Sequence, residues 1–254
     1  MKKLKINLVA ASAMIGLAAC SNGNGPNGGQ MSLTFVTRAS TGAAVMADGS
    51  AALKSSAPET YTDGQNTLVI SKVEMVLREI ELERVEAANC AAQAEPDDCE
   101  EFEIGPVLLD LPLGVASREF AVDLQPGTYD ELEFEFHKVS NDDPEDAAFR
   151  AAHPDMVDKS IRVTGTFNGQ AFTYETDLDV EQEFDLVPPL TIDENTTSAN
   201  LTIRVGLEEW FRNQQGTLVD PQQANKGGQY EGLVKENIKQ SIEAFEDHDE
   251  DGKP

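Results

Sequence analysis

The sequence predicts a mainly β protein, an antiparallel β-sandwich of about eight to ten strands with two helical additions. Three observations favour this fold class. Apolar and polar residues alternate with a period of two in most segments. Turn signals rich in Gly, Pro and Asn separate these segments, and helices are predicted at only two places, near 144–152 and 230–246. Two packed sheets would bury the apolar side of such strands and expose the polar side.

The first half of the chain begins with a clear strand and continues with more ambiguous segments. Residues 31–35 alternate and predict a strand, which a mobile stretch rich in Ala, Ser and Gly follows to about Asn66. Residues 69–85 fit helical spacing as well as two strand phases, but their β-branched residues and strand neighbours favour a strand with a bulge near Arg78. The apolar run 102–111 is interrupted by Gly and Pro and predicts an edge strand or a bulge.

Four further segments alternate regularly. Residues 120–124 lead through a Pro-Gly turn to residues 131–136, where an apolar residue follows each glutamate. That pattern predicts a half-buried strand with an acidic outer side. Residues 178–186 and 201–207 alternate in the same way and predict two more strands.

The clearest hairpin covers residues 161–176. Its centre is Asn168-Gly169, a pair typical of a type I′ turn. With this two-residue loop, Gly165 lies opposite Phe172 and leaves room for the aromatic ring.

Two segments have helical features. Asp143 and Pro144 have the character of a cap and a first helical residue, and predict a short helix over 144–152. The segment 230–246 carries one apolar stripe, which predicts a C-terminal helix packed on the sheet. The stripe consists of Leu233, Val234, Ile238, Ser241, Ile242 and Phe245.

The start of the chain has the features of an export signal. Three lysines precede an apolar run over residues 6–16, which is too short for a membrane span of about 20 residues. The residues that end at Cys20 are Leu-Ala-Ala-Cys, which resembles the lipobox of bacterial lipoproteins. The resemblance implies that residues 1–19 are a lipoprotein signal peptide and that Cys20 carries acyl chains, which would anchor the protein in a membrane. An ordinary secretory peptide is the alternative.

The residues after the cysteine refine this prediction. Ser21, rather than an aspartate, implies by the same resemblance the cell outer membrane, with the protein facing the periplasm or the outside. Residues 20–30 are rich in Gly and Asn and predict a flexible tether. Residues 31–254 are then expected to form a single sandwich domain with a C-terminal helix and an acidic tail.

The charge of the chain restricts its partners. Removal of residues 1–19 takes away three lysines and no acid, so the formal charge changes from −27 to −30. Nucleic acids and anionic lipid surfaces would be repelled, whereas divalent cations and basic surfaces would be attracted. Solubility in an exposed envelope protein explains the same charge without any partner.

Two cysteines remain beside the lipidation site. Cys90 and Cys99 flank eight residues of a loop between apolar segments. In an oxidising compartment this spacing predicts a local disulfide, with unpaired thiols as the alternative. The absence of a nearby histidine in the sequence argues against a zinc site at this place.

The acidic end of the chain suggests a weak metal site. Asp247, Asp249 and Asp251 alternate before Gly252, which is similar to the first half of an EF-hand loop. The glutamate that would close such a loop does not follow, so a solvated acidic tail after a helix is the alternative. We expect at most weak calcium binding, and no other cofactor.

The candidates for catalysis are few. The chain has three histidines, His137, His153 and His248, and we expect all three at the surface without a catalytic role. Neither a nucleophile elbow nor a phosphate-binding loop occurs in the sequence. We therefore expect that the protein is not an enzyme.

Some segments resemble a known group of proteins. Residues 122–129 are similar to a recurring element of transthyretin-like and carboxypeptidase-regulatory-like sandwiches, in which a strand ends in Pro-Gly-Thr-Tyr. Residues 66–73 and pieces of 210–247 resemble uncharacterised bacterial lipoproteins that carry such a domain of unknown function. The resemblance covers most of 66–252 and implies a transthyretin-like or immunoglobulin-like sandwich. It implies no activity and no functional residue.

Three functions follow from these predictions. The first is a lipid-anchored envelope protein that binds a protein, glycan or cation, or that supports the cell surface. Binding predicts an exposed apolar or aromatic patch, whereas a uniformly charged surface indicates a passive spacer. The second is a hydrolase of envelope polysaccharide, which needs two carboxylates about 5–9 Å apart in a cleft. The third is a surface protein that binds calcium weakly.

Overall fold

Two β-sheets dominate the protein, as the sequence predicts. The computed structural model describes residues 29–37, 57–85, 106–114, 117–124, 126–193 and 198–247. In these residues the strands are β1 (Gly29–Val36), β2 (Glu59–Thr62), β3 (Thr67–Arg84), β4 (Val107–Asp110), β5 (Ser117–Leu124), β6 (Gly127–Phe136), β7 (Ile161–Phe167), β8 (Gln170–Thr176), β9 (Val180–Ile192), β10 (Ser198–Val205) and β11 (Ile242–Glu246). The helices are α1 (Ala147–Ala152) and α2 (Glu231–Gln240), with short 3₁₀ turns at Pro154–Met156 and Pro221–Ala224.

The strands pair in a four-stranded and a seven-stranded sheet. The smaller sheet has the order β11-β10-β1-β5. The larger sheet has the order β8-β7-β3-β6-β9, and β2 and β4 also pair with β3. The described pairs are antiparallel except for β1 and β10, which run parallel from Gln30 opposite Ser198. The expectation of antiparallel pairing throughout is therefore wrong at this one place, where the paired strands are distant in sequence and no tight turn fixes their direction.

One hydrophobic core joins the two sheets. Strand β6 contributes Leu132, Phe134 and Phe136, which are buried, while the glutamates between them lie on the other side. The ring of Phe134 stacks on Phe184 at a centroid distance of 5.6 Å and meets Phe136 edge-on at 5.7 Å. Trp210 is also fully buried in this core. The alternation of residues 131–136 therefore predicts the buried side of the strand correctly.

The long strand β3 contains the bulge that the sequence indicates. Val73 and Leu77 are buried before the bulge, and Ile80 and Leu82 are buried after it. The pairing with β6 shifts between Arg78 and Glu81, and an intervening residue has a positive φ of 53°. The extra residue turns the second half of the strand so that both halves face the core.

The hairpin of β7 and β8 has the predicted turn and register. Gly165 pairs with Phe172, and Asn168 and Gly169 both have positive φ, as a type I′ turn requires. The need for glycine at position 165 has a further cause, since a Cβ there would lie 1.9 Å from the Val69 carbonyl oxygen on β3. The neighbouring backbone, and not only the Phe172 ring, thus excludes a side chain.

The C-terminal helix is shorter than the apolar stripe predicts. It ends at Gln240, and residues 242–246 form β11, which pairs with β10. The Ser241 hydroxyl donates to the Ile238 carbonyl and accepts a 2.7 Å hydrogen bond from Trp210 Nε1, which caps the last turn. The edge of β10 offers residues 242–246 backbone hydrogen bonds that outweigh the helical spacing of their apolar residues.

Two other predicted boundaries are wrong. The stretch to Asn66, expected to be mobile, contains β2, which pairs with the first residues of β3. Helix α1 begins at Ala147 instead of residue 144. The side chain of Asp143 accepts a hydrogen bond from the Glu145 N–H in a turn, so it does not cap the helix.

A second, smaller apolar cluster covers the outer face of β3. It contains Val76, Val139, Phe149 and Met156. These contacts fasten α1 and the 3₁₀ turn after it to the sheet, and they hold the segment that follows β6 over the end of that strand.

No helix in the described ranges is long and apolar enough to cross a bilayer.

Candidate functional site

The end of β6 carries a buried histidine with a carboxylate partner. The side chain of His137 is 5% exposed, and its Nε2 lies 2.7 Å from Asp146 Oδ1. Asp146 is fully buried just before α1, and its Oδ2 accepts a 2.6 Å hydrogen bond from the Ser140 N–H. A carboxylate can only accept in such a contact, so Nε2 carries the hydrogen. The pair therefore fixes the ring orientation of His137.

The other ring nitrogen points toward two further carboxylates. His137 Nδ1 lies 3.6 Å from Glu135 Oε2 and 4.0 Å from Asp179 Oδ1. Both distances exceed that of a hydrogen bond, and Nδ1 is buried without a hydrogen-bond partner in the described part of the chain. Phe136 pairs with Val180, so the end of β6 lies beside the start of β9 and brings these groups together.

Each of the two acids is held by a neighbouring donor. Arg78 Nε donates to Glu135 Oε2 at 2.9 Å, and the Lys138 N–H donates to Asp179 Oδ1 at 2.9 Å. The guanidinium of Arg78 also lies 3.4 Å from Asp143. We call Glu135, His137 and Asp179 the His137 cluster.

Burial and the neighbouring acids act in opposite directions on His137. Burial is the largest influence and lowers its pKa, as does the charge of Arg78, but the contacts with Glu135 and Asp146 outweigh both and raise the pKa above the ordinary value. At Glu135 burial is again the largest influence and raises the pKa, while His137 and Arg78 lower it overall. The cluster therefore favours positive charge at the histidine position.

A second polar feature lies on the outer side of the larger sheet. Carboxylates stand opposite one another on β3, β6 and β9, so that Glu133 pairs with Glu81 and Glu183 on either side. In the next row, Glu131 likewise lies between two acids on the neighbouring strands. We call this surface the acidic face, and its residues are Glu81, Glu83, Glu131, Glu133, Glu181, Glu183 and Asp185. Like charges directly opposite one another destabilise a sheet.

The crowding changes the proton affinity of the central acid. A hydrogen bond with Glu181 is the largest cause, followed by partial burial and by the charges of Glu181, Glu81 and Glu183, and together they raise the pKa of Glu133 to about 8. At Glu131, burial and then the neighbouring acids also raise the pKa. Repulsion among the carboxylates of the acidic face therefore favours a bound proton or a nearby cation on this surface.

The site residues that the sequence predicts fall mostly outside the described ranges. This applies to the lipidation site Cys20, to Cys90 and Cys99, and to Asp249 and Asp251. Those assignments stay predictions.

Asp247 is described and does not belong to a solvated tail. It follows β11, is 2% exposed, and its Oδ2 accepts a 3.2 Å hydrogen bond from the Thr202 hydroxyl. Its backbone N–H donates to the Asn200 carbonyl at 3.0 Å. Asp247 is buried because it directly follows β11, which pairs with β10. The alternative of a solvated acidic tail directly after a helix is therefore wrong at this position.

The prediction of surface histidines is wrong for His137. The alternation of β6 ends at Phe136, and the chain then turns inward beneath α1, which a period-two pattern does not reveal. The nearby run of acids over residues 142–146 contains Asp146 and is the available signal in the sequence, but such a run also fits the start of a helix. The ring of His153 packs against Phe149 at a centroid distance of 4.8 Å, and His248 lies outside the described residues.

The described surface has little exposed apolar area. Val85 and Val187 are the large apolar side chains that are exposed in this part of the chain. A small cavity of about 100 Å³ lies beside Val187 and is lined by Asp185, Leu186, Val187, Pro188, Leu190, Leu201, Ala244, Phe245 and Glu246. The apolar patch that a binding role predicts is thus not found in the described residues.

The comparisons with known proteins assign no function to these features. No protein-family model, no curated protein and no solved structure matches this chain.

Proposed function

We propose that the protein is a lipid-anchored, non-enzymatic module of the bacterial cell envelope, with Cys20 as its acylated first residue. The Leu-Ala-Ala-Cys motif after a short apolar run supports the anchor. The residues between Cys20 and β1, which begins at Gly29, are rich in Gly and Asn, as a tether requires. Two sheets with a shared core, and a Pro-Gly-Thr-Tyr segment that leads into the first residues of β6, support a transthyretin-like sandwich.

The anchor is tested by metabolic labelling with radioactive palmitate in a Gram-negative host. We expect label in the full chain, its loss in Cys20→Ser, and its retention in the matched control Cys90→Ser. Fractionation of the same cells should place the labelled protein with the outer membrane. An unlabelled full-length chain in the soluble fraction would refute the anchor.

For the molecular role we propose that the acidic face binds a polycationic protein or peptide segment of the envelope. The observation that carries this proposal is the cross-strand stacking of like charges in the rows of Glu131 and Glu133. Such pairs lower stability, and a basic partner would neutralise them. The scarcity of exposed apolar side chains favours recognition by charge over recognition by apolar contact.

The test is calorimetric titration of the full chain with a lysine-rich peptide at two salt concentrations. The variant Glu131→Gln/Glu133→Gln/Glu183→Gln should weaken binding by about tenfold at low salt. The matched control Glu208→Gln/Glu209→Gln/Glu236→Gln removes the same charge from exposed sites elsewhere and should bind nearly as well as the parent. Equal weakening in both variants would indicate only a diffuse effect of net charge, and therefore a passive spacer.

The two alternative functions, a polysaccharide hydrolase and a weak calcium-binding protein, have less support. A carboxylate-dependent hydrolase needs acids that enclose a substrate, whereas the acidic face lies on the open side of the sheet. A calcium site at Asp247, Asp249 and Asp251 stays a prediction, as does the disulfide between Cys90 and Cys99.

A further inference from the structure

We propose that the His137 cluster binds a divalent transition-metal ion, with Zn²⁺ as the best match to its donor atoms. The ligands are His137 Nδ1 and one carboxylate oxygen each from Glu135 and Asp179. This site shares no residue with the acidic face or with the aspartates at the end of the chain, although Glu135 pairs with Glu181 at the border of the acidic face.

The spacing of the donor atoms fits one ion with small adjustments. The ligand atoms of the three residues all lie within 4.8 Å of one another. Ligands of a tetrahedral zinc ion at about 2.1 Å stand about 3.4 Å apart. The distances of 3.6 Å and 4.0 Å from Nδ1 to the two carboxylates exceed this value by a few tenths of an ångström. Rotation of the Glu135 and Asp179 side chains closes such differences.

The histidine itself indicates a ligand. Its Nδ1 is buried and makes no hydrogen bond within the described residues, and the whole side chain is only 5% exposed. Buried polar atoms are rarely left without a partner, because the loss of water is then uncompensated. A metal ion between Nδ1 and the two carboxylates supplies that partner.

The surroundings have the arrangement that orients metal ligands. A ligating histidine usually donates its other ring N–H to a carboxylate, and His137 Nε2 does so to Asp146 at 2.7 Å. Ligating carboxylates are usually held by donors as well. Arg78 holds Glu135 and the Lys138 N–H holds Asp179, each at 2.9 Å.

The donor types select the class of ion. A neutral imidazole nitrogen suits Zn²⁺, Cu²⁺ or Ni²⁺, whereas Ca²⁺ and Mg²⁺ prefer oxygen ligands alone. Three protein ligands leave a position open for water or for a second molecule, as in zinc sites that are not purely structural. Groups of exposed acidic side chains are common without a metal ion, and the buried nitrogen of His137 distinguishes this site from the acidic face.

The experiment is zinc titration of the full chain after treatment with a chelator, by calorimetry and by the visible absorption of a Co²⁺ substitute. We expect one ion bound per chain at this site, and no competition from Ca²⁺ at equal concentration. The primary variant is Asp179→Asn, because Asp179 is 53% exposed and an asparagine oxygen still accepts from the Lys138 N–H. It should weaken zinc binding at least about tenfold.

The matched control is Asp142→Asn, which removes the same charge from an exposed position in the neighbouring loop and should bind zinc like the parent. A second variant, His137→Gln, should abolish the Co²⁺ absorption bands that report nitrogen ligation. The proposal is overturned if the parent binds no zinc, or if Asp179→Asn and His137→Gln bind it as tightly as the parent. In either case His137 would be a structural residue held between Asp146 and Glu135.

Discussion

Replacement of Glu133 by glutamine is expected to stabilise the protein at alkaline pH. Glu133 lies between Glu81 and Glu183 on the acidic face, and its pKa is raised to about 8 from an ordinary value of 4.5. The folded chain therefore holds this proton more tightly than the unfolded chain. Glutamine keeps the size and the hydrogen-bonding capacity of the side chain and removes the charge that the neighbouring carboxylates repel.

The sign of the pH dependence follows from the direction of the pKa shift. Because the folded-state pKa is the higher one, stability falls as pH rises from about 4.5 to about 8 and then levels off. The side chain is only partly buried, so water and salt screen much of the repulsion, and we expect a gain of ~1 kcal/mol for Glu133→Gln at pH 8.5. With a urea slope of about 2.5 kcal/mol per M, the unfolding midpoint should rise by about 0.4 M.

The measurement is urea unfolding at pH 5 and pH 8.5, followed by the fluorescence of Trp210, which is the single tryptophan and is fully buried. The gain should be present at pH 8.5 and small at pH 5. Glu208→Gln removes an exposed acid outside the acidic face and should change the midpoint little at either pH. A gain of equal size at both pH values, or a loss at pH 8.5, would refute this reasoning.

Three further substitutions test the fold by the same unfolding measurement. Phe134→Ala removes a 1% exposed ring from the centre of the core and should cost about 3–5 kcal/mol, whereas a cost below about 1 kcal/mol would contradict its packing. Gly165→Ala places a Cβ 1.9 Å from the Val69 carbonyl oxygen, so it should cost at least about 2 kcal/mol through displacement of β7 from β3, and an unchanged midpoint would argue against that pairing. Asp177→Asn removes an ion pair of 2.7 Å with Lys235 and should cost about 1 kcal/mol at pH 7. Hydrogen bonds with two lysines hold the pKa of Asp177 well below its usual range, so this difference should begin to shrink as pH falls below about 4 and continue to shrink toward the lowered pKa, and a difference unchanged between pH 7 and about pH 2 would contradict the ion pair.

Local sequence patterns predict much of the larger sheet, because its strands, bulge and hairpin each depend on residues that are close together in the sequence. The alternation in residues 131–136 identifies both the buried side of β6 and its acidic side, and the change of phase in residues 69–85 locates the bulge near Arg78. Asn168-Gly169 fixes the register of a whole hairpin. Each of these features depends on neighbouring residues and on the period of the strand.

The features that sequence patterns missed depend on distant partners. Residues 242–246 continue the helical stripe in the sequence, and only their pairing with the edge of β10 makes them a strand. The same holds for the candidate metal site. His137 looks like a residue at a strand end until the loop before α1 folds back and buries it against Asp146. The periodicity of a short segment cannot indicate a contact that forms only when a loop folds back onto that segment.

The parallel pairing of β1 with β10 has a consequence for the order of events during synthesis. Gln30 leaves the ribosome long before Ser198, its partner in the ladder. Until β10 has been made, β1 has an unpaired edge that other chains can join, and closure of so distant a contact slows folding. A chain that crosses a membrane unfolded and matures only afterwards tolerates this delay, whereas one that must fold during translation is exposed to aggregation throughout it.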